Sequence, residues 1–249
     1  MIRWTSARIP LRAGAAAAVS GGLATGLLLE QSLRGVDAER RDAYVRSWAR
    51  GMLRALHVDV MVDGRRAHPP PGPHLVVANH RSTVDIFVML DLFGGHMLAR
   101  GDMAGWPIAG ALAKLAGTLF VDRSDSGSRA KAVRQITDHL RNERTITVFP
   151  EGTTHTDDVV RPFHAGAFLA IARAHGFVTP VGLAYEDPSA HFGDESVGEH
   201  FRRVLEAPRT RVSVAIGDPI ATEGVQTNAL RDRAHAAVQS LVNQARARL

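Results

Sequence analysis

Cysteine is absent from the 249 residues. That excludes a disulfide scaffold, a thiolate zinc site, an iron–sulfur cluster and a cysteine nucleophile, and it leaves the redox compartment open. Lysine is almost absent too: Lys114 and Lys131 stand alone, so the basic side of the chain is arginine. No internal repeat of solenoid or propeller length is visible, and no low-complexity tract beyond one Ala/Gly run. What is present is ordinary for a folded chain. The apolar fraction of 45% and charged fraction of 22% argue against disorder, collagen-like repeats and coiled coil. The length fits one domain with an appended segment.

Lys+Arg 30 against Asp+Glu 25 gives a net charge of +5, and its distribution matters more than its size. Arg3, Arg8 and Arg12 open the chain with no acidic residue among them. This points to an anionic membrane surface as partner. Nucleic acid is not expected, because no helix-turn-helix, zinc finger or aromatic ribonucleoprotein signature accompanies the charge.

Residues 13–29 carry no charge. As a helix they span about 25 Å, short of a ~30 Å hydrocarbon core. Small residues precede the leucines, the reverse of a secretory signal. A helix lying on or dipping into one leaflet fits best, with an Ala-rich helix packed on the protein as the alternative. Residues 37–56 follow with helical periodicity. Tyr44, Val45, Trp48, Met52, Leu53 and Leu56 share one side, and Arg46, Arg50 and Arg54 recur at four-residue intervals on the other. That pattern suits a membrane surface, and equally a helix packed on its own domain. Residues 1–57 are therefore read as an N-terminal helical membrane-associating segment, and residues 58–249 as an α/β domain.

In that body, short apolar runs expected as strands (58–62, 74–78, 97–98, 118–121, 145–149, 178–183, 212–216) alternate with helical stretches (after Ser82/Thr83, 107–116, 128–142, 165–175, 228 to the end). The rhythm predicts an α/β fold with a mostly parallel sheet flanked by helices, whose sites gather where strand ends open into loops.

Three segments fall at such ends. Asn79-His80-Arg81-Ser82-Thr83-Val84-Asp85 follows a buried strand. Asp85, in the first turn of the next helix, can fold back onto one imidazole nitrogen of His80 and leave the other as a base, or it can simply cap the helix. Phe149-Pro150-Glu151-Gly152-Thr153-Thr154 follows another. There Gly152 permits close backbone approach, nearby N–H groups suit an oxyanion, and Glu151 suits substrate hydroxyls. The third, residues 117–123, ends in Arg123, whose planar fork suits phosphate or carboxylate. An ordinary turn and a surface ion pair are the plainer readings of the last two. His155, Asp157 and Asp158 lack ligand-like helical spacing and are read as solvated, so no metal is expected.

Together and in this order the segments resemble the motifs of the glycerolipid acyltransferases, of the 1-acyl-glycerol-3-phosphate (lysophosphatidic acid) acyltransferase type. Asn79-His80 with Asp85 is similar to the first motif, residues 117–123 to the second and residues 149–153 to the third. Val178-Thr179-Pro180-Val181 is similar to the fourth, and Phe163-His164-Ala165-Gly166 resembles a further Phe-x-x-Gly element. The resemblance covers residues 75–185 and makes 58–249 an acyltransferase domain. It implies His80 as general base, Asp85 as its orienting partner, and Asn79, Arg123, Glu151, Gly152 and Thr153 in substrate binding. It also implies a lysolipid acceptor and an acyl-CoA or acyl carrier protein donor, with no other cofactor. With the basic N-terminal helices, it implies action at the cytoplasmic face of the cell membrane. No acyl-enzyme is implied, in keeping with the absence of a Gly-x-Ser-x-Gly elbow.

The family often carries Arg after Glu-Gly-Thr; here Thr154 stands there. With Arg161-Pro162-Phe163 downstream and Trp106-Pro107 leading into Gly117, this resembles the branch that acylates lyso-ornithine lipid. Lysophosphatidate is the first acceptor expected and lyso-ornithine lipid the alternative. A His/Asp-dependent lipid or thioester hydrolase and a non-catalytic membrane-binding module are the remaining readings.

Overall fold

Residues 74–78 are apolar but for His74, and as a strand covered on both faces they have nowhere to go but the middle of a sheet. The structure, a computed structural model describing residues 5–64, 71–106, 109–122, 126–142 and 145–249, places them there. In chain order the elements are α1 (Thr5–Arg34), α2 (Ala38–Ala55), β1 (Val58–Asp63), β2 (His74–Ala78), α3 (Val84–Phe93) and β3 (His96–Arg100). After a 3-10 turn at Gly101–Gly105 come α4 (Ala109–Leu115), β4 (Leu119–Val121), α5 (Ser126–Arg141), β5 (Thr145–Val148), α6 (Gly166–Ala174) and β6 (Phe177–Tyr185). The chain ends with α7 (Val197–Glu206), β7 (Thr210–Ile216), β8 (Ile220–Ala221) and α8 (Thr227–Arg246).

Among the described residues the strands form one sheet in the order β1-β7-β6-β2-β5-β3-β4, with β8 paired to β6. β6, β2, β5, β3 and β4 run parallel, while β7 and β8 are antiparallel to β6. The expected mostly parallel sheet flanked by helices is what is found. One hydrophobic cluster joins the sheet to α1, α2, α3 and α7, and a second joins its other face to α5, α6 and α8. From β2 the chain crosses by α3 toward β3; from β5 it crosses by α6, on the opposite face, toward β6. Adjacent β2 and β5 therefore send their connections in opposite directions. That is the topological switch point where sites of open α/β sheets lie.

The N-terminal helices revise one expectation. Val45, Trp48, Met52 and Leu53 of α2 are buried in the first cluster, and Trp48 meets Phe87 of α3 edge-on at 5.4 Å. The apolar side of α2 is thus core and is unavailable to a membrane. Its arginine side is used as well: Arg46 donates to the carbonyls of Leu92 and Phe93 at the C-terminus of α3, where cations and donors are favoured. α1 packs antiparallel on α2, so tightly that a Cβ on Gly51 would stand 2.8 Å from Val19. Arg12 near its start caps the end of α7 through the carbonyls of Leu205 and Pro208, and Glu30 near its end accepts from Tyr44. Both ends of α1 are thereby fastened to the body. Its outer side exposes Leu11, Leu28, Leu29 and Leu33.

Candidate active site

The site is built from the loops that leave β2 and β5. Asn79, the residue after β2, is fully buried. Its Nδ2 donates to the Leu183 carbonyl at 2.9 Å and its Oδ1 accepts the Leu183 N–H at 2.8 Å. The side chain continues the pairing of β2 with β6 past the last strand residue and turns the chain so that His80 emerges at the opening. The imidazole of His80 lies flat on Phe149, centroids 4.0 Å apart and planes within 5°. Its Nδ1 donates to Asp85 Oδ2 at 2.9 Å. Among the described residues no group bonds to its Nε2, and the side chain keeps 17% of its surface while Asp85 keeps none.

Asp85 is buried yet well supplied with donors. Oδ2 also accepts the N–H groups of Arg81 at 2.6 Å and Ser82 at 2.8 Å, and Oδ1 accepts the Tyr185 hydroxyl at 2.5 Å. Burial, then the Asp85 charge, push the Tyr185 phenol well above its usual range, so it stays a donor. Behind this layer Ser82 Oγ meets His200 Nε2 at 3.1 Å. Burial first and Arg203 second lower the His200 pKa, which suits a neutral ring accepting there.

The second loop is locked to the first. Glu151 Oε1 accepts the His80 N–H at 2.8 Å and Arg81 Nη1 at 2.9 Å, and Oε2 accepts the Arg161 N–H at 2.8 Å. The Arg81 and Glu151 side chains have no exposed surface. Asn79 and Glu151, expected as substrate contacts, are both buried and bonded to the strands and loops they join, so both carry the walls of the site. Gly152 occupies a φ of +82°, and its N–H closes the turn onto the Phe149 carbonyl at 3.1 Å. An oxyanion donor is thus not the N–H of Gly152. Thr153 is exposed beside the turn. Arg123 lies outside the described residues. Asp157 and Asp158 pair with Arg161 and Arg246. A cavity of about 200 Å³ opens next to Pro150, walled by Leu98, Val133, Ile136 and Val148 with Arg129 and His164.

Sequence reasoning missed Arg81, Tyr185 and His200. Arg81 sits inside the first motif, but an arginine in a loop reads as exposed. Tyr185 follows the apolar run of β6 and touches Asp85 across 100 positions of chain, a contact only the parallel pairing of β2 and β6 creates.

Fold and site together define an α/β protein with one oriented imidazole at the switch point of its sheet. A family model described as Acyltransferase matches residues 59–184, and the chain belongs to that family. A lyso-ornithine lipid O-acyltransferase of Pseudomonas aeruginosa is 33% identical over 225 residues, covering 88% of this chain and 86% of that protein. A 1-acyl-sn-glycerol-3-phosphate acyltransferase of Neisseria meningitidis is 28% identical over 224 residues, covering 85% and 87%. Among solved structures, the 1-acyl-sn-glycerophosphate acyltransferase of Thermotoga maritima superposes with a TM-score of 0.72 at 22% identity, over 98% of this chain and 99% of that one, which shows the shared fold.

Proposed function

We propose that this acyltransferase moves a fatty acyl group from acyl-CoA or acyl carrier protein to the hydroxyl of a lysolipid, with 1-acyl-glycerol-3-phosphate as acceptor. The observation that carries the reading is the His80–Asp85 pair, one nitrogen held by a buried carboxylate and the other open at the mouth of the sheet. His80 Nε2 takes the proton of the lysolipid hydroxyl as its oxygen attacks the thioester carbonyl. The tetrahedral intermediate collapses, the C–S bond breaks, and His80 returns the proton to the leaving thiolate. The products are an ester and a free thiol. Asp85 holds the tautomer and stabilises the imidazolium between the two transfers. The apolar cavity beside Pro150 gives an acyl chain a place out of water. Gly152, Thr153 and Arg123 stand for the acceptor's head group.

A second acceptor, lyso-ornithine lipid, is favoured by Thr154, which puts a neutral hydroxyl where a phosphate-binding Arg is common, and by the similarity to the Pseudomonas protein. We place the enzyme as a monotopic or peripheral protein on the cytoplasmic face of the cell membrane; the exposed leucines of α1 support a membrane seat, and the net charge of +5 supports an anionic surface. A single labelled acyl-CoA offered with a panel of lysolipids tests the reading. Label is expected in the diacyl product of lysophosphatidate. Label in the ornithine lipid product instead selects the second acceptor, and release of free fatty acid alone would show a hydrolase.

A further inference from the structure

We propose that Tyr185 is a positioning residue for acyl transfer: its hydroxyl, presented from the end of β6, fixes the carboxylate of Asp85 in the orientation that holds His80. This rests on the assignment of His80 as general base. The two oxygens of Asp85 are unequally served. Oδ2 takes three donors, among them the imidazole, whereas Oδ1 takes the Tyr185 hydroxyl and, among the described residues, no other group. A donor on each oxygen stops the carboxylate from rotating about its Cβ–Cγ bond. With Oδ1 released, a fully buried oxygen is left unpaired and the plane of the group is set by the Oδ2 contacts alone.

Tyr185 is itself held. It ends β6, the parallel neighbour of β2, so the hydroxyl and the His80 loop issue from adjacent strands. Its ring meets His191 edge-on at 5.8 Å, and His191 Nδ1 donates to the Thr156 carbonyl at 2.7 Å. The same ring thereby ties Asp85 to the loop that follows Gly152. Other ionisable groups around the pair are Arg81 with Glu151, His200 with Glu195 and Arg203 behind Ser82, His191 against the Tyr185 ring, and His155, whose backbone N–H donates to the His80 carbonyl at 3.1 Å. All of them are unchanged in a Tyr185→Phe protein, so a shift in its pH profile reports the missing hydroxyl. Removing a donor from Asp85 concentrates its charge on the imidazole side and favours the protonated ring. The acidic limb of the profile then moves to higher pH.

The test uses full-length Tyr185→Phe and His80→Ala beside the unaltered protein, with labelled acyl-CoA and the lysolipid that the unaltered protein accepts. For Tyr185→Phe we expect a fall in kcat of about tenfold, little change in KM, and an acidic limb of kcat/KM displaced upward. An unchanged kcat, or a reduced kcat with an unmoved limb, would overturn the proposal. A second measurement does not need the variant to fold. Tyr44 and Tyr185 are the only tyrosines, so 3-fluorotyrosine labelling yields two fluorine signals, separable with Tyr44→Phe. The Tyr185 signal is expected to move over the pH range in which activity rises and to stay still in His80→Ala. A signal that does not move in the unaltered protein overturns the proposal. If His80→Ala keeps full transfer, the general-base assignment itself fails. If it is inactive while Tyr185→Phe matches the unaltered protein, only the role of Tyr185 fails.

Discussion

The carboxylate of Glu151 accepts the backbone N–H of His80 at 2.8 Å, across 71 positions of sequence. One acidic side chain thus joins the loop after β5 to the loop that bears the imidazole. With Arg81 it forms a pair that solvent does not reach. Removing one partner of such a pair leaves the other charge buried and alone, which costs about 3–5 kcal/mol. Glu151→Ala is therefore expected to lose both stability and transfer. Glu151→Gln, which keeps an acceptor for the His80 N–H, should melt between the two. Thermal melts of the three proteins check this; an unchanged melting temperature in Glu151→Ala would contradict the strut.

Gly152 is bound to its turn by backbone geometry. At a φ of +82° a side chain is strained, and a Cβ would stand 3.0 Å from His164 Nε2. Gly152→Ala should cost about 1–2 kcal/mol, the penalty of a left-handed L-residue. Because His164 is exposed, it can yield part of the space. The double change Gly152→Ala with His164→Ala should recover only the steric share. Full recovery would show that the φ is unimportant there.

How much of this could be read beforehand follows from how local each signal is. β2 announces itself by the apolar residues that follow His74, β5 by its β-branched Thr145-Ile146-Thr147-Val148, and the site loops by position after them. α2 is different: a helix with one apolar and one arginine side reads the same against lipid as against protein, and only Phe87 opposite Trp48 decides. α7 lies outside the strand-and-helix rhythm of the sequence, although Ser196 and Glu199 spell a capping box that the structure forms in full. Tyr185 was beyond reach for a deeper reason. A hydroxyl 100 positions from its acceptor becomes its partner only through strand order, which no local pattern encodes.

The revised place of α2 changes what a truncation would show. Deleting residues 1–57 removes the buried face of α2 and should give insoluble protein rather than a free-floating enzyme. The membrane role of α1 is better tested on its outer side. Leu28, Leu29 and Leu33 are 61%, 59% and 82% exposed, so replacing all three by Glu should leave the melting temperature within a degree or two. Sedimentation with anionic vesicles should fall sharply. Unaltered vesicle binding would move the docking surface elsewhere.

His74 predicts a response to acid. Burial pushes its pKa from 6.5 to about 4, and its Nε2 meets Thr179 Oγ1 at 2.8 Å. Above pH 6.5 it is neutral in both folded and unfolded chains and contributes nothing. As pH falls toward 4 the unfolded chain takes a proton that the fold refuses, so stability drops by up to ~3 kcal/mol and then levels off. His74→Gln should flatten the change in melting temperature between pH 7 and pH 5. An equally steep change in that variant would place the acid sensitivity in other groups.

The most direct measurement is acyl transfer by His80→Ala, with labelled acyl-CoA and the accepted lysolipid, beside a thermal melt of the same sample. His80 is partly exposed and its ring rests on Phe149, so the melt should change little. Transfer should fall by about 10²–10⁴, the usual worth of a positioned base. Turnover equal to that of the unaltered protein, in a folded sample, would contradict the account.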